Sequence, residues 1–317
     1  MDNPAAHALA TWAAPLPLAV AYSGGADSTV LLRAAVAQWP GQVHALHVHH
    51  GLQATADDFE SHCESVCNAL GVPFHAARVD ARHGVGESPE DAARRARYRT
   101  LASLADTHRL QHVALAQHAD DQVETMLIAL GRGAGLDGLA GMPATMRRHG
   151  ITFHRPLLEL RSDTMRAWLA ENDIGFIEDP TNVDARYTRN RIRHRLLPAL
   201  AEALPQFRTT FARSARNAAR ASTLLAELAA IDIGVVPTTP SIAILRALTR
   251  ERRANALRYW LRSVHAAVPS EAQLQQLLDQ LEACATRGHR IHLKVAGGFV
   301  ERVGDSLRWY NFAPSSS

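Results

Sequence analysis

Leu18-Ala19-Val20-Ala21-Tyr22-Ser23-Gly24-Gly25-Ala26-Asp27-Ser28 is the stretch on which the fold turns. Its first five residues form a short apolar run without polar alternation, the pattern of a strand covered on both faces. Residues 27–38 then repeat apolar positions at helical spacing, so Gly24 and Gly25 lie at a strand-to-helix turn. Residues 43–50 read as a second strand, which makes the segment a β-α-β opening. At such a turn, amide N–H groups and the positive end of the helix dipole converge on one point, and an anion is favoured there. Two glycines permit positive φ and close backbone approach, Ser23 and Ser28 offer hydroxyls, and Asp27 can hold Mg²⁺ against a pyrophosphate. The stretch fits neither G-x-x-x-x-G-K-[ST] nor G-x-G-x-x-G. Taken alone, a Gly-Gly turn capped by Asp or Ser is equally a structural element.

Outward from this point the pattern repeats. Thr55 and Asp58 read as a capping box for a helix reaching Leu70, stopped by Gly71 and Pro73. Ser88-Pro89-Glu90-Asp91 starts another helix through Tyr98, and strands are expected at 73–79 and 112–116. This alternation predicts an α/β fold with a doubly wound, mostly parallel sheet, whose ligands sit at the carboxyl ends of the strands. Beyond Pro205 the chain turns almost wholly helical, over 206–230, 242–265 and 270–283, before a strand pair near 290–310. The expected division is therefore a catalytic domain over 1–205 and a smaller, mainly helical domain over 206–317.

Composition narrows the class. With 47% apolar and 21% charged residues in 317, the chain is globular and too apolar for disorder. Residues 3–26 carry no formal charge at neutral pH, but Pro4, Pro15, Pro17 and the Gly24-Gly25 pair break the run too early to span a bilayer. The first Arg is Arg33, so a basic secretory n-region is missing and a cytoplasmic location without a membrane partner is expected. Cys63, Cys67 and Cys284 form no C-x-x-C and are expected as reduced, buried thiols. Lys294 is the only lysine among 34 basic residues; the rest are Arg, which suits phosphate contacts. Residues 1–185 carry a net charge of −8, 186–220 of +8 and 221–317 of +3. An acidic domain beside a sharply basic segment fits a catalytic unit with a polyanion grip, or a solvated Arg-rich helix face.

Two further segments carry candidate chemistry. In His47-Val48-His49-His50-Gly51-Leu52, strand alternation places His47 and His49 on one face and His50 on the other. No Cys or carboxylate has the spacing to complete a metal site with them. In Gln117-His118-Ala119-Asp120-Asp121-Gln122-Val123-Glu124-Thr125, Asp121 and Glu124 are i, i+3 and share a helix face near the same strand-end crevice. Alone, they serve as well as first-turn acids that stabilise the helix dipole.

Taken together these stretches carry a resemblance. S-G-G-x-D-S in its strand-to-helix context resembles the PP-loop of ATP pyrophosphatases, and H-H-G-L resembles the loop that borders the nucleotide in PP-loop tRNA-modifying enzymes. The family often has Arg next, where this chain has Gln53. H-x-D-D-Q-x-E-T, then Gly131-Arg132-Gly133-Ala134-Gly135-Leu136-Asp137-Gly138-Leu139-Ala140-Gly141-Met142, with Glu90 to Tyr98 upstream approximating E-x-x-A-R-x-x-R-Y, looks like the tRNA(Ile)-lysidine synthase family. So do the R-P-L-L stretch Arg155-Pro156-Leu157-Leu158 and then Glu178-Asp179-Pro180-Thr181-Asn182-Val183-Asp184 through Tyr187, Arg189-Asn190-Arg191-Ile192-Arg193, Leu197-Pro198 and Leu200. The resemblance is close over 18–205 and looser beyond 206, and the further C-terminal domain of longer members is expected to be absent.

The resemblance implies an adenine nucleotide hydrolase-like fold that uses ATP and Mg²⁺. It implies an enzyme joining free L-lysine to C2 of the wobble cytidine in a tRNA(Ile) with a CAU anticodon, through an adenylated tRNA, with release of AMP and pyrophosphate. On this basis Ser23, Gly24, Gly25, Ala26, Asp27, Ser28, His49 and His50 are the nucleotide-binding candidates. Asp27 is the metal candidate, Arg97, with Arg94 beside it, the group that neutralises pyrophosphate or adenylate, and Asp121 and Glu124 the lysine-binding and acid-base pair. For tRNA the candidates are Arg189, Arg191 and Arg193 after the D-P-T-N turn, and Arg213, Arg216 and Arg220 at i, i+3, i+7. Arg191 and Arg195 could instead pair with acids of the first domain. A homodimer stays open. The rival readings are another PP-loop tRNA-modifying enzyme such as a 2-thiocytidine synthetase, which generally needs Cys pairs or an iron-sulfur site, and a non-enzymatic tRNA binder.

Overall fold

The computed structural model describes residues 2–49, 56–79, 89–179, 184–234, 238–284 and 289–311. The expected capping residue Thr55, along with His50, Gln53 and 180–183, lies outside them. Two compact units, Met1–Asn217 and Ala218–Ser317, make up the chain.

The first unit opens with a short helix α1 (Ala6–Ala10), strand β1 (Leu18–Ala21), helix α2 (Ala26–Gln38) and strand β2 (Val43–His49). Helix α3 (Ala56–Leu70), strand β3 (Phe74–Arg78), helix α4 (Pro89–Thr107), strand β4 (His112–Ala114) and helix α5 (Ala119–Gly131) follow. After α6 (Leu136–Leu139) come β5 (Thr145–Arg148), β6 (Ile151–His154) and α7 (Ser162–Glu171). The sheet order is β3-β2-β1-β4-β6-β5, all parallel except the edge strand β5, which runs antiparallel to β6. Strand alternation explains the unbroken apolar β1. Leu18 and Val20 face a core with Leu9, Val30, Leu31, Cys67 and Leu169, whereas Ala19 faces a second core with Tyr98, Leu101, Ala105 and Phe153. The chain winds outward through β2 and β3, then returns to place β4 on the other side of β1. That reversal opens a crevice at the carboxyl ends of β1 and β4, where the loops after each strand meet.

The hairpin β5–β6 was not foreseen; its turn uses His149 and Gly150, both at positive φ. After it, helix α8 (Thr188–Arg191) runs directly into a π-helical turn over Ile192–Leu196 and then α9 (Leu197–Ala203). Helix α10 (Phe207–Ile233) contains the division between the units.

The second unit builds a core on Leu257, Trp260, Leu261, Leu274, Leu277, Val295 and Leu307. The helical run expected over 242–265 is two helices, α11 (Ile242–Ala247) and α12 (Arg250–His265), because the Thr249 hydroxyl caps α12 by accepting from the Arg252 amide. Helix α13 (Glu271–Ala283) precedes a three-stranded antiparallel sheet, β7 (His292–Val295), β8 (Gly298–Val303) and β9 (Ser306–Tyr310), one strand more than the expected pair. Among the described residues no helix is long and apolar enough to cross a membrane.

Candidate active site

The phosphate loop is tied to the sheet by the Tyr22 amide, which donates to Leu46 O at 2.8 Å. Gly24 has φ +80, and a Cβ there would lie 2.9 Å from Cys63 Sγ and 3.0 Å from Ile177 Cδ1, so backbone conformation and packing both demand glycine. Gly25 is the extended N-cap of α2 and supplies no side-chain cap, which leaves first-turn amides for a ligand. The Ser23 and Ser28 hydroxyls lie 3.1 Å apart, and Ser28 Oγ also donates to Gly25 O at 3.0 Å. Ser23, Gly25, Ala26, Asp27 and Ser28 line one cleft of about 940 Å³, together with His49, Arg94, Arg97, His118, Asp120, Asp121, Arg189 and Arg193. His47 also lines it, but its Nδ1 sits 2.9 Å from Tyr22 O, a bond that fixes the loop. Among the described residues no His/Cys/Asp/Glu group could hold a metal by itself. A Mg²⁺ carried by nucleotide phosphates needs only one or two carboxylates, and Asp27 in the first turn of α2 fits that demand.

Helix α5 delivers the opposing wall. Its N-cap, His118, is buried, with Nε2 3.4 Å from both Asp27 Oδ2 and Asp121 Oδ2 and Nδ1 3.8 Å from Asp120 Oδ2. Burial would pull this imidazole down, but Asp121, Asp27 and Asp120 outweigh it and push it up to about 9, so His118 is cationic at neutral pH. Burial works against ionisation of Asp27 as well, yet the His118 hydrogen bond and charge, with Arg166 and Arg193 beyond, hold its carboxyl below the usual range. Because the folded-state value for His118 lies above the unfolded 6.5, its stabilisation is complete below about pH 6.5 and is lost as pH rises through about 9. The unfolding free energy of the nucleotide-free protein in metal-free buffer should therefore fall over that window. His118→Asn, which keeps a capping side chain, should remove the slope; an equal slope in wild type and variant would show that another group titrates.

Most of the predicted site residues meet here. Asp121 Oδ1 accepts from Arg193 Nη2 at 3.1 Å, and Glu124, fully buried, accepts from Arg193 Nε at 2.7 Å and Nη2 at 3.1 Å. Burial raises the Glu124 carboxyl against the opposing pull of Arg193. Arg189 Nε lies 3.9 Å from Glu124 Oε2. Arg191 instead folds onto its own turn, donating to Ala185 O and Arg186 O at 2.9 Å. It is thus Arg189, Arg193 and Arg208, not Arg191, whose pairing with site acids the structure shows; Arg208 Nε donates to Asp120 at 2.7 Å. Arg213, Arg216 and Arg220 are exposed along α10, and Arg216 Nη1 lies 3.1 Å from Glu159.

Several residues of the site carried no role in the sequence reading. Buried Arg155, in the R-P-L-L stretch, donates to Gln117, to Pro143 O at 2.7 Å and to Tyr98 OH at 2.9 Å, locking α4 to the strand ends. Gln122 grips the Met142 backbone through both amide atoms, at 2.7 and 3.2 Å, and a Cβ on Gly141 would strike it at 2.8 Å. That contact explains why the D-D-Q and G-M stretches occur together. Ser162 adds its amide to Asp120 and its hydroxyl to Asp27.

A parallel sheet with an amide cradle and an acidic crevice at its switch point defines the class, a PP-loop nucleotide-binding fold. Residues 6–200 match the PP-loop domain family and residues 241–308 the TilS substrate binding domain. The tRNA(Ile)-lysidine synthase of Polaromonas naphthalenivorans is 63% identical over 292 residues, 92% of this chain and 89% of that protein. The Bordetella pertussis enzyme of the same name is 41% identical, over 89% of this chain and 91% of its own. Of the Burkholderia mallei relative, 43% identical, the chain spans 61% of the length. In fold, the chain is similar to the U34-tRNA thiolase NcsA of Methanococcus maripaludis, with a TM-score of 0.55 at 14% identity over 63% of this chain and 71% of that one. The chain belongs to the tRNA(Ile)-lysidine synthase family.

Proposed function

We propose that the chain joins free lysine to C2 of the wobble cytidine of an isoleucine tRNA with a CAU anticodon. ATP adenylates the C2 oxygen with loss of pyrophosphate, and the lysine ε-amine then displaces AMP. The observation that carries this reading is the convergence of the phosphate loop and the acidic first turn of α5 on one cleft, with room for a nucleotide beside a second small substrate.

In this reading Ser23, Gly24, Gly25, Ala26 and Ser28 cradle the phosphates, and Asp27 holds a Mg²⁺ that neutralises triphosphate charge. The loop amides stabilise charge developing at the α phosphate, and Arg97, with Arg94, neutralises the departing pyrophosphate. His49 borders the nucleotide. Free lysine has a side-chain pKa near ~10.4, so deprotonating it at pH 7 costs about 4.6 kcal/mol. Asp121 and Glu124 are assigned to the amino-acid site, with Asp121, at the cleft wall, accepting the proton. Catalysis falls to 1–205 and tRNA contact largely to 206–317. A cytoplasmic location and a homodimer are compatible with this reading.

Thiolation is disfavoured by the cysteines. Burial pushes the Cys63 and Cys67 thiols up to about 12, and no cysteine lines the cleft. The deciding experiment is AMP release measured with lysine and tRNA omitted in turn. Dependence on both supports the proposal, a requirement for a sulfur donor would replace it with thiolation, and no AMP at all would leave a binding protein.

Arg213, Arg216 and Arg220 are assigned to tRNA phosphates. Binding should then weaken with log salt at about −0.7 to −0.9 per phosphate neutralised. Replacing all three by Ala should flatten that slope by about 2 to 3 and weaken cognate and non-cognate tRNA alike. Loss of the exposed Arg216–Glu159 pair should itself cost under about 1 kcal/mol of stability. An unaltered salt slope would return the stripe to a solvated helix face.

A further inference from the structure

We propose that Gln117 reads the wobble base: held from behind by Arg155, it donates an amide N–H to the N3 acceptor of cytosine and so sets the enzyme against uridine. The proposal rests on the lysine-joining reading above. Gln117 follows strand β4, is half-buried and lines the cleft immediately before His118.

An amide side chain ordinarily leaves open which end is oxygen and which is nitrogen. Here a neighbour decides it. Arg155 is buried and its guanidinium carries donors only, so the Gln117 atom that meets Arg155 Nε is the carbonyl oxygen. The same guanidinium cannot turn away, because Nη1 donates to Pro143 O at 2.7 Å and Nη2 to Tyr98 OH at 2.9 Å. With the oxygen fixed on Arg155, the NH2 end is the one left for the cleft. One of its N–H groups is directed to the Tyr98 hydroxyl, and the second has no acceptor among the described residues. A half-buried donor on a rigid mount discriminates, since setting it against another donor leaves both desolvated and unpaired.

Position decides which base it meets. In the sheet order β3-β2-β1-β4 the phosphate loop follows β1, His49 ends β2 on one side, and Gln117 follows β4 on the other. A nucleotide bordered by His49 on the β2 side leaves the β4 side to the acceptor base. The next residue, His118, has Nε2 3.4 Å from Asp27 Oδ2, so Gln117 stands beside the phosphate end of the cleft. That matches cytosine, whose reacting O2 has to face the α phosphate while N3 is bonded to the same carbon. A base taken out of its stack is read on its Watson–Crick edge between apolar walls. Leu115 and Ala116, next to Gln117 in the chain, and Leu101, a turn on from Tyr98, line the same cleft. Charge favours an amide here over a stronger donor. When O2 attacks phosphorus the pyrimidine becomes cationic, and a guanidinium on N3 would oppose that, whereas a neutral amide does not. Uridine carries N3–H, which would meet the Gln117 N–H donor to donor.

The test uses the full chain with ATP, lysine and tRNA transcripts that carry cytidine, 3-deazacytidine or uridine at the wobble position. 3-Deazacytidine replaces N3 by C–H and keeps O2 and the 4-amino group. Wild type should modify it with kcat/KM at least about 10-fold below that for cytidine, as loss of one base-edge contact entails, and should use uridine less still. Gln117→Glu keeps an oxygen on Arg155 and removes the N–H donors. In it cytidine turnover should fall by at least the same factor, 3-deazacytidine should carry no further penalty, and the ATP and lysine KM values should stay within about twofold. Uridine should gain relative to cytidine, because the new oxygen accepts from N3–H. Gln117→Leu should likewise erase the 3-deazacytidine penalty. Equal turnover of cytidine and 3-deazacytidine by wild type overturns the proposal without any variant, so a folding failure of either variant leaves it decidable. A penalty undiminished in Gln117→Glu would assign N3 to another group, and a raised ATP KM with that penalty intact would move Gln117 to the adenine; both overturn it. If wild type joins no lysine to the cytidine transcript, the lysine-joining reading itself falls, and the proposal with it.

Discussion

Asp27→Ala should abolish adenylation while leaving tRNA affinity nearly unchanged. The carboxylate occupies the first turn of α2, beside amides that no side chain caps, and it is kept ionised by His118 at 3.4 Å. A group so placed faces metal and phosphate rather than nucleic acid, and removing one electrostatic contact to a charge-developing transition state costs ~10²-fold or more. Asp27 shares buried His118 with Asp121 and Asp120, which still hold the imidazolium when Asp27 is removed, and a thermal melt of the variant separates lost chemistry from lost folding. ATP–pyrophosphate exchange in the presence of tRNA reads the step directly, and filter binding reads tRNA affinity. Retention of more than about a tenth of wild-type exchange would remove Asp27 from the chemistry.

The phosphate loop was legible because its signal is local. An apolar run, two glycines and two serines lie within eleven residues, and each demand is met inside that window, down to the positive φ of Gly24. The switch-point crevice followed from the order of elements. The edge hairpin escaped because Thr145-Met146-Arg147-Arg148 has the polar composition of a strand exposed on both sides, which reads as loop. Pairings across the site escaped for a different reason. Arg193 is 69 residues from Glu124 and Arg208 is 88 from Asp120, and no periodicity connects a late Arg to an early acid. Nine Arg against one acid in 186–220, beside a segment of net −8, showed that attraction existed, but the excess served two ends at once. Part of it closes onto the cleft acids, and part stays exposed on α10. Helical spacing likewise put Asp121 and Glu124 on one face without distinguishing them. Only the packing does: Asp121 opens on the cleft, and Glu124 is sealed behind a guanidinium.

That difference shapes the effect expected of neutralising each acid. Asp121→Asn and Glu124→Gln keep size and hydrogen-bonding capacity but remove a charge. Both should raise the lysine KM about 10-fold or more while the ATP KM stays within about twofold, because the phosphate loop is built on β1 and α2 and owes its geometry to neither acid. They should diverge in stability. Asp121 is partly exposed, and its loss leaves Arg193 held on two sides by Glu124. Glu124 is fully buried and supplies two of the three carboxylate bonds to Arg193, so Glu124→Gln loosens that side chain more than Asp121→Asn does, although Arg193 keeps Asp121 and its contact with solvent. The Tm of Glu124→Gln should accordingly drop well below that of Asp121→Asn. Unchanged lysine saturation with a raised ATP KM would assign both residues to the nucleotide site. Equal Tm losses would mean that the ion pair at the back of the cleft is not the stronger of the two anchors.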